Sequence, residues 1–124
     1  MIRKLMGIFV GLFFIVISAT VWADALKKTV EAVHADMANL KGKQVEVRGK
    51  VVKVNNGIMK RNFLHIQDGS GKEGTNDLTI TSNQTAEVGD DITVVGTVVL
   101  DTDFGFGYKY PLLVEQSSIQ KHAK

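Results

Sequence analysis

Every Phe, Tyr and Trp after residue 23 belongs to one set of five: Phe63, Phe104, Phe106, Tyr108 and Tyr110. They fall in two short stretches. Phe63 follows Ile58-Met59-Lys60-Arg61-Asn62, and the rest lie in Asp101-Thr102-Asp103-Phe104-Gly105-Phe106-Gly107-Tyr108-Lys109-Tyr110. Flat rings beside cations have a defined chemistry. Rings stack on bases or other planar groups, at ~1–3 kcal/mol per base, while Lys and Arg neutralise anions. The candidate contact residues are therefore Arg48, Lys50, Lys60, Arg61, Phe63, His65, Phe104, Phe106 and Tyr108. Glycine-spaced aromatics also serve to plug the open end of a small barrel, so core packing is the competing role. No nucleophile–base pair, paired carboxylates or metal triad occurs, so no catalytic residue, metal or cofactor is expected. Asp68-Gly69-Ser70-Gly71-Lys72-Glu73-Gly74 lacks both the Gly-Lys-Ser/Thr of a phosphate loop and the spaced ligands of a calcium loop. It is expected to be a solvated hairpin.

The elements that must hold these residues follow from periodicity. Val45-Glu46-Val47-Arg48-Gly49-Lys50-Val51-Val52 and Ile92-Thr93-Val94-Val95-Gly96-Thr97-Val98-Val99 share one pattern. Both alternate apolar and polar residues around a central Gly, and Gly inside a strand marks a bulge, a bend or a close backbone approach. The parity of apolar residues changes after Val51, which predicts a bulge there. Further strands are expected at Phe63–Gln67, Leu78–Thr81, Ile92–Leu100 and Tyr108–Glu115, the last at an edge or bulge because of Pro111. Asn55-Asn56-Gly57 is a turn signal. With Leu64 and Ile66 inward, Phe63, His65 and Gln67 point outward, on the same side as Arg48 and Lys50. Before the strands, Leu26, Val30, Val33, Met37 and Leu40 recur at helical spacing. The expectation is one helix over 24–41, with Asp24 as N-cap and Gly42 just past its end. The fold class is mainly β: a five-stranded Greek-key barrel over 42–116, an N-terminal amphipathic helix that closes its end, and a tail at 117–124.

The start of the chain has three parts: basic Met1-Ile2-Arg3-Lys4, an apolar run from Leu5 to Thr20, and small residues around Val21-Trp22-Ala23. This is the pattern of a secretory signal peptide over 1–23, cleaved after Ala23. The competing reading is a retained anchor, since Leu5 to Trp22 is just long enough to span a bilayer. The absence of Cys excludes a lipid-anchored lipoprotein, disulfides and thiolate chemistry. Export without disulfides fits a bacterial envelope, so the expected location is the periplasm, with no membrane anchor after cleavage. Cleavage removes Arg3 and Lys4 and leaves 13 basic side chains against 13 acidic ones. A neutral domain is not the usual form of a strong nucleic-acid binder. The charge is uneven, however: residues 24–63 hold 9 basic and 4 acidic groups, and residues 64–124 hold the reverse balance.

Three blocks in order carry a resemblance: Val45-Glu46-Val47-Arg48-Gly49-Lys50-Val51, Phe63-Leu64-His65-Ile66-Gln67-Asp68-Gly69-Ser70-Gly71, and Val88-Gly89-Asp90-Asp91-Ile92-Thr93-Val94-Val95-Gly96-Thr97-Val98. Over roughly 42–115 the chain resembles the OB-fold family typified by the anticodon-binding domains of aminoacyl-tRNA synthetases. It resembles more closely a group of short exported bacterial OB-fold proteins. That resemblance implies a five-stranded OB-fold barrel and the binding of single-stranded nucleic acid or nucleotide on the face of the second and third strands. The chain also resembles the haem chaperone of cytochrome c assembly in placing a His, His122, just after the last strand; that family's downstream Tyr is not matched. Two functions follow: a nucleic-acid or nucleotide binder using Arg48, Lys60, Arg61, Phe63 and the Phe104–Tyr110 loop, or an envelope protein-interaction module for a redox or stress system.

Overall fold

The computed structural model describes residues 25–123. The leader expected over 1–23 and the expected Asp24 cap lie outside the described residues. The elements are β1 (Leu26–Lys27), α1 (Val30–Ala35), α2 (Met37–Leu40), β2 (Gln44–Ile58), β3 (Arg61–Gln67), β4 (Leu78–Ser82), β5 (Asp91–Asp103) and β6 (Lys109–Lys121). The fold is mainly β and barrel-like. One mixed sheet runs β1-β2-β3-β4-β6-β5, and β2 also pairs with β5, so five of its six strands form a ring. The first half of β2 lies antiparallel to β5, and the second half lies antiparallel to β3. Closure between β4 and β6 rests on a single parallel pair, Ile80 with Val114.

A strand can serve two neighbours in this way only if it coils, and its glycines allow that. A Cβ on Gly49 would sit 2.9 Å from the Gln67 carbonyl oxygen. A Cβ on Gly96 would sit 2.8 Å from Val114 Cγ1 and 2.9 Å from the Glu115 oxygen, and would collide with Ser117 Oγ. Gly96 faces the place where the β5–β6 register slips, between Val95 and Thr97. Both glycines therefore mark close backbone approaches, as the strand pattern predicts. The parity change after Val51 is also a bulge: Val51 pairs with Ile66, and Lys53 pairs with His65.

The core is the inward face of the ring, built from Val45, Val47, Val51, Leu64, Ile66, Leu78, Ile80, Ile92, Val94 and Val98. Val30, Val33 and Leu40 of the helices belong to the same cluster. Each fully buried Val or Leu contributes ~1.5–3 kcal/mol, so the helical stripe is a structural face.

Several expectations are corrected. The ring carries a sixth strand, because Leu26 pairs with Val45, Lys27 pairs with Glu46, and Lys28 N–H donates to the Glu46 carbonyl (3.0 Å). This edge pairing overrides the helical spacing at Leu26, which is 41% exposed. The helix starts at Val30, where the Thr29 hydroxyl accepts from Ala32 N–H. It breaks at Asp36, whose φ of −115° lies outside the helical region. Gly42, with φ +80°, does end it. β2 continues through Asn55-Asn56-Gly57, where Gly57 marks a second register shift. The reversal comes at Met59-Lys60, with φ +53° and +66°. β6 runs to Lys121, through most of the segment expected to be a tail. Among the described residues no helix is long and apolar enough to cross a membrane.

Candidate functional site

Two β-turns place the candidate residues. Ile58 pairs with Arg61, so Met59 and Lys60 form a two-residue turn with both φ values positive, the twist that matches flanking strands. The β5–β6 hairpin extends past the ring and closes from Asp103 paired with Lys109. At its tip Gly105, Phe106 and Gly107 have φ +87°, +54° and +86°. The tip is fixed by Phe104 N–H to the Tyr108 carbonyl (2.8 Å) and Gly105 N–H to Asp103 Oδ1 (2.8 Å).

The hairpin folds over the outer surface of β3. Phe63 and Tyr110 stack at 5.5 Å between centroids, and Phe104 meets Phe63 edge-on at 5.7 Å and Tyr110 at 6.0 Å. Arg61 lies 4.8 Å above the Phe104 ring. Its Nε is 3.5 Å from Glu115 Oε2, which also accepts from the Thr81 hydroxyl (2.7 Å). Burial, aided by the neighbouring Tyr108, pushes the Tyr110 hydroxyl above its ordinary pKa.

This corrects the expected role of Phe63. It is 2% exposed and lies outside the main core cluster. Strand parity turns it outward, but the β5–β6 hairpin covers it, so it offers no face to a ligand. Phe104 is half-buried in the same lid. His65 is half-buried too, with Nδ1 3.0 Å from Asp77 Oδ1. His34 Nε2 lies 2.7 Å from the Asp77 carbonyl oxygen, so Asp77 links helix and sheet. Phe106 is different: it is 95% exposed, and Tyr108 beside it is 41% exposed.

The expected single basic surface is split. Arg48 grips Asp91 through two hydrogen bonds of 2.7 and 3.1 Å, at the β2–β5 pairing. The Arg48 hydrogen bonds hold the Asp91 carboxyl below its ordinary pKa. Lys50 is exposed at that same end, lining a shallow depression with Arg48, Gln67 and Asp91. Lys60 and Arg61 instead line a groove of about 490 Å³ between the β2–β3 turn and β6. A larger cavity, about 660 Å³, is lined by Lys27, Arg48 and His122 together with Glu46 and Asp68. There His122 Nε2 is 2.7 Å from the Thr93 hydroxyl. Among the described residues no three His, Cys, Asp or Glu side chains cluster as metal ligands.

Thr81 and Glu115, which fix Arg61, are missing from the sequence-based site, and Tyr110, expected there only as the end of the Phe104–Tyr110 loop, packs the lid. Asn83, Gln116 and Ser118, which line the Lys60 groove, are missing too. The available signal was the polar run Thr81-Ser82-Asn83-Gln84 facing Gln116-Ser117-Ser118, too polar for two strands that meet in a core.

No protein-family model matches the chain, and no curated protein matches it. Solved structures do. An OBody bound to hen egg-white lysozyme superposes with a TM-score of 0.50 at 17% identity, over 67% of this chain and 84% of that one. A protein assigned as an aspartyl-tRNA synthetase from Leishmania major Friedlin superposes with a TM-score of 0.55 at 13% identity, over 81% of this chain. The match takes in 21% of the synthetase chain. At these identities the likeness is one of fold alone.

Proposed function

We propose that this protein is an exported, non-catalytic binding module on a five-stranded OB-fold Greek-key barrel, and that it docks a protein partner through the tip of the β5–β6 hairpin. The doubled pairing of β2 and the parallel β4–β6 closure support the barrel type. The Met1–Ala23 pattern supports export to the periplasm.

Phe106 carries the functional reading. A left-handed backbone costs a non-glycine residue ~1–2 kcal/mol. A bare phenyl ring in water gains nothing in return. Phe106 has both, at φ +54° and 95% exposure. Strain with no internal compensation points to an external contact. A rigid aromatic on a narrow glycine-flanked tip is the form of an interface anchor that fills a partner's apolar pocket. One structural neighbour, the OBody, binds a protein, lysozyme.

A photo-crosslinking phenylalanine analogue at position 106 of the full chain, expressed in its own host, tests this. The expected result is one discrete protein adduct. The same analogue at Val88, 65% exposed and remote from the hairpin in sequence, is expected to give none. No adduct at 106, or identical adducts at both positions, refutes the reading.

One observation favours a second reading, binding of single-stranded nucleic acid or nucleotide: Arg61 lies over the Phe104 ring of the hairpin, and Lys60 precedes it in the β2–β3 turn. Such binding weakens steeply with salt, and a nuclease-sensitive adduct at 106 would establish it in place of the first.

A further inference from the structure

We propose that Asn56-Gly57 is a self-modification site, at which the Asn56 side-chain amide is converted to aspartate or isoaspartate, and that the side chains of Asn62 and Thr85 set its rate. The site lies apart from the Phe106 tip, and neither reading depends on the other.

The chemistry belongs to the residue pair. An Asn side chain holds an electrophilic amide carbon near the next backbone nitrogen. When the Gly57 nitrogen loses its proton and bonds to Asn56 Cγ, the side-chain nitrogen leaves as ammonia and a five-membered imide closes. Water then opens the imide at either carbonyl. Cleavage at Cγ leaves aspartate in an unaltered main chain. Cleavage at the backbone carbonyl leaves isoaspartate, with the main chain routed through Cγ. One ammonia is lost, one water is gained, and nothing is oxidised or reduced. The attacking nitrogen is least obstructed when its own residue has no Cβ, and no other Asn in the chain is followed by Gly.

The fold puts local control on both reacting groups. Asn55 pairs with Phe63 and Ile58 with Arg61, so Asn56 and Gly57 together face Asn62 alone. Such a bulge leaves its extra residue out of the pairing. Gly57 N–H donates to a side chain, Asn62 Oδ1 (2.9 Å). The Thr85 hydroxyl donates to Asn56 Oδ1 (2.7 Å) and draws the amide toward the segment between β4 and β5. Asn62 is held in turn, through Nδ2, on the Gln84 carbonyl (3.0 Å). The attacking nitrogen and the attacked amide are thus each fastened to a side chain. Asn56 and Gly57 are exposed, so water reaches the imide.

Reaction requires both fastenings to release, which takes local opening beside the Met59-Lys60 turn and not unfolding of the ring. Each such hydrogen bond changes the open population ~2–10-fold. Asp68-Gly69 is the one comparable pair with an acid, and it differs. An ionised carboxylate is a poor electrophile, and Asp68 is held by the N–H groups of Val30 and Ser70 and by the Ser70 hydroxyl. Isoaspartate at position 56 would add one carbon to the β2 main chain inside the bulge. The Met59-Lys60 turn and Arg61 follow directly, so the modification loosens the hold of Arg61 on the Phe104 ring as the protein ages.

Ageing of the full chain, expressed in its own host, tests the assignment. The chain is held at mildly alkaline pH, folded or in guanidinium chloride, with conversion mapped by peptide mass spectrometry and isoaspartate read by enzymatic methylation. Conversion is expected fastest at position 56, with a rate that rises with pH because the Gly57 nitrogen must lose its proton. The folded chain is expected to convert at least ~10-fold more slowly than the unfolded one, since two hydrogen bonds must open. Asn62→Ala and Thr85→Ala are each expected to speed folded conversion ~2–10-fold while leaving the rate in denaturant unchanged. Val33→Ala, a truncation of the buried core on α1, lowers global stability and is expected to leave the folded rate unchanged. Four outcomes overturn the assignment: equal rates folded and unfolded, faster conversion of another Asn in the folded chain, indifference to both Asn62→Ala and Thr85→Ala, or acceleration by Val33→Ala equal to theirs.

Discussion

Gly96→Ala is the sharpest test of how this ring is closed. Two effects oppose each other. Replacing Gly by Ala restricts the unfolded chain and favours folding by ~0.4–1 kcal/mol where the native backbone permits it. Gly96 is not among the positive-φ glycines, so its backbone does permit Ala. Space does not. The added carbon would lie 2.8 Å from Val114 Cγ1 and 2.9 Å from the Glu115 oxygen, and still closer to Ser117 Oγ. Val114 is fully buried, and the Ser117 hydroxyl is fixed on the Val114 carbonyl at 3.0 Å. None of the three can retreat without moving the β6 bulge. Overpacking of this kind costs ~1–3 kcal/mol, and three simultaneous overlaps put it at the upper end. The net expected loss is ~2–3 kcal/mol. For a domain of this size that lowers Tm by roughly 10–20 °C. Gly49→Ala is the control. Its one severe overlap is with the Gln67 oxygen at 2.9 Å, and the next contacts are 3.3 and 3.4 Å. Entropy and clash nearly cancel there, for a net cost within ~1 kcal/mol. Urea unfolding of both variants decides the matter. A Gly96→Ala protein as stable as the parent, or less affected than Gly49→Ala, refutes the account of the β5–β6 approach.

Phe106→Asn is expected to raise stability by up to ~1 kcal/mol in thermal unfolding, because Asn tolerates the left-handed backbone better. Phe104→Ala removes two edge-on ring contacts and the Arg61 contact, at ~0.5–1.5 kcal/mol each. It is expected to uncover Phe63, seen as loss of the ring-current shifts of its protons and faster exchange of the β3 amides. Asp68 links β3 to the start of α1. Burial works against its charge, but the Ser70 hydroxyl and the N–H groups of Val30 and Ser70 outweigh that and hold its pKa below the ordinary 3.8. A depressed carboxyl stabilises the fold above its unfolded value and loses that contribution as pH falls through its folded value. Asp68→Asn is therefore expected to flatten the fall in stability below about pH 3.8 and to lower stability at neutral pH, both read from urea midpoints against pH.

What was legible in the sequence was local and periodic. Val45, Val47, Leu64, Ile66, Ile92 and Val94 face inward as alternation requires, and Gly49 and Gly96 mark close approaches, as a Gly within a strand suggests. Misreadings arose where a distant partner decides. Leu26 has helical spacing from Val30, yet an open β2 edge captures it. Asn55-Asn56-Gly57 has turn chemistry, but pairing with β3 carries the strand past it to a Met-Lys turn that composition does not announce. Phe63 has the outward parity assigned to it, and its burial comes from residues about forty positions further on. The split between Arg48 and Lys60 has the same origin, since one strand serves two neighbours in turn.

The single backbone pair closing β4 on β6 has a consequence for self-association. The rest of that seam is stitched by side chains: Thr81 to Gln116 N–H, Ser82 to the Ser117 carbonyl, Gln84 to Ile119. Unpicking them would turn a closed ring into an open sheet with two more bare strands, β4 and β6. Bare strands pair with whatever chain is nearest, including another copy. These hydroxyls and amides therefore guard against strand exchange as much as they stabilise the monomer. Replacing Thr81 and Gln84 with apolar residues would release that guard, and the first sign would be domain-swapped dimers appearing before any loss of secondary structure.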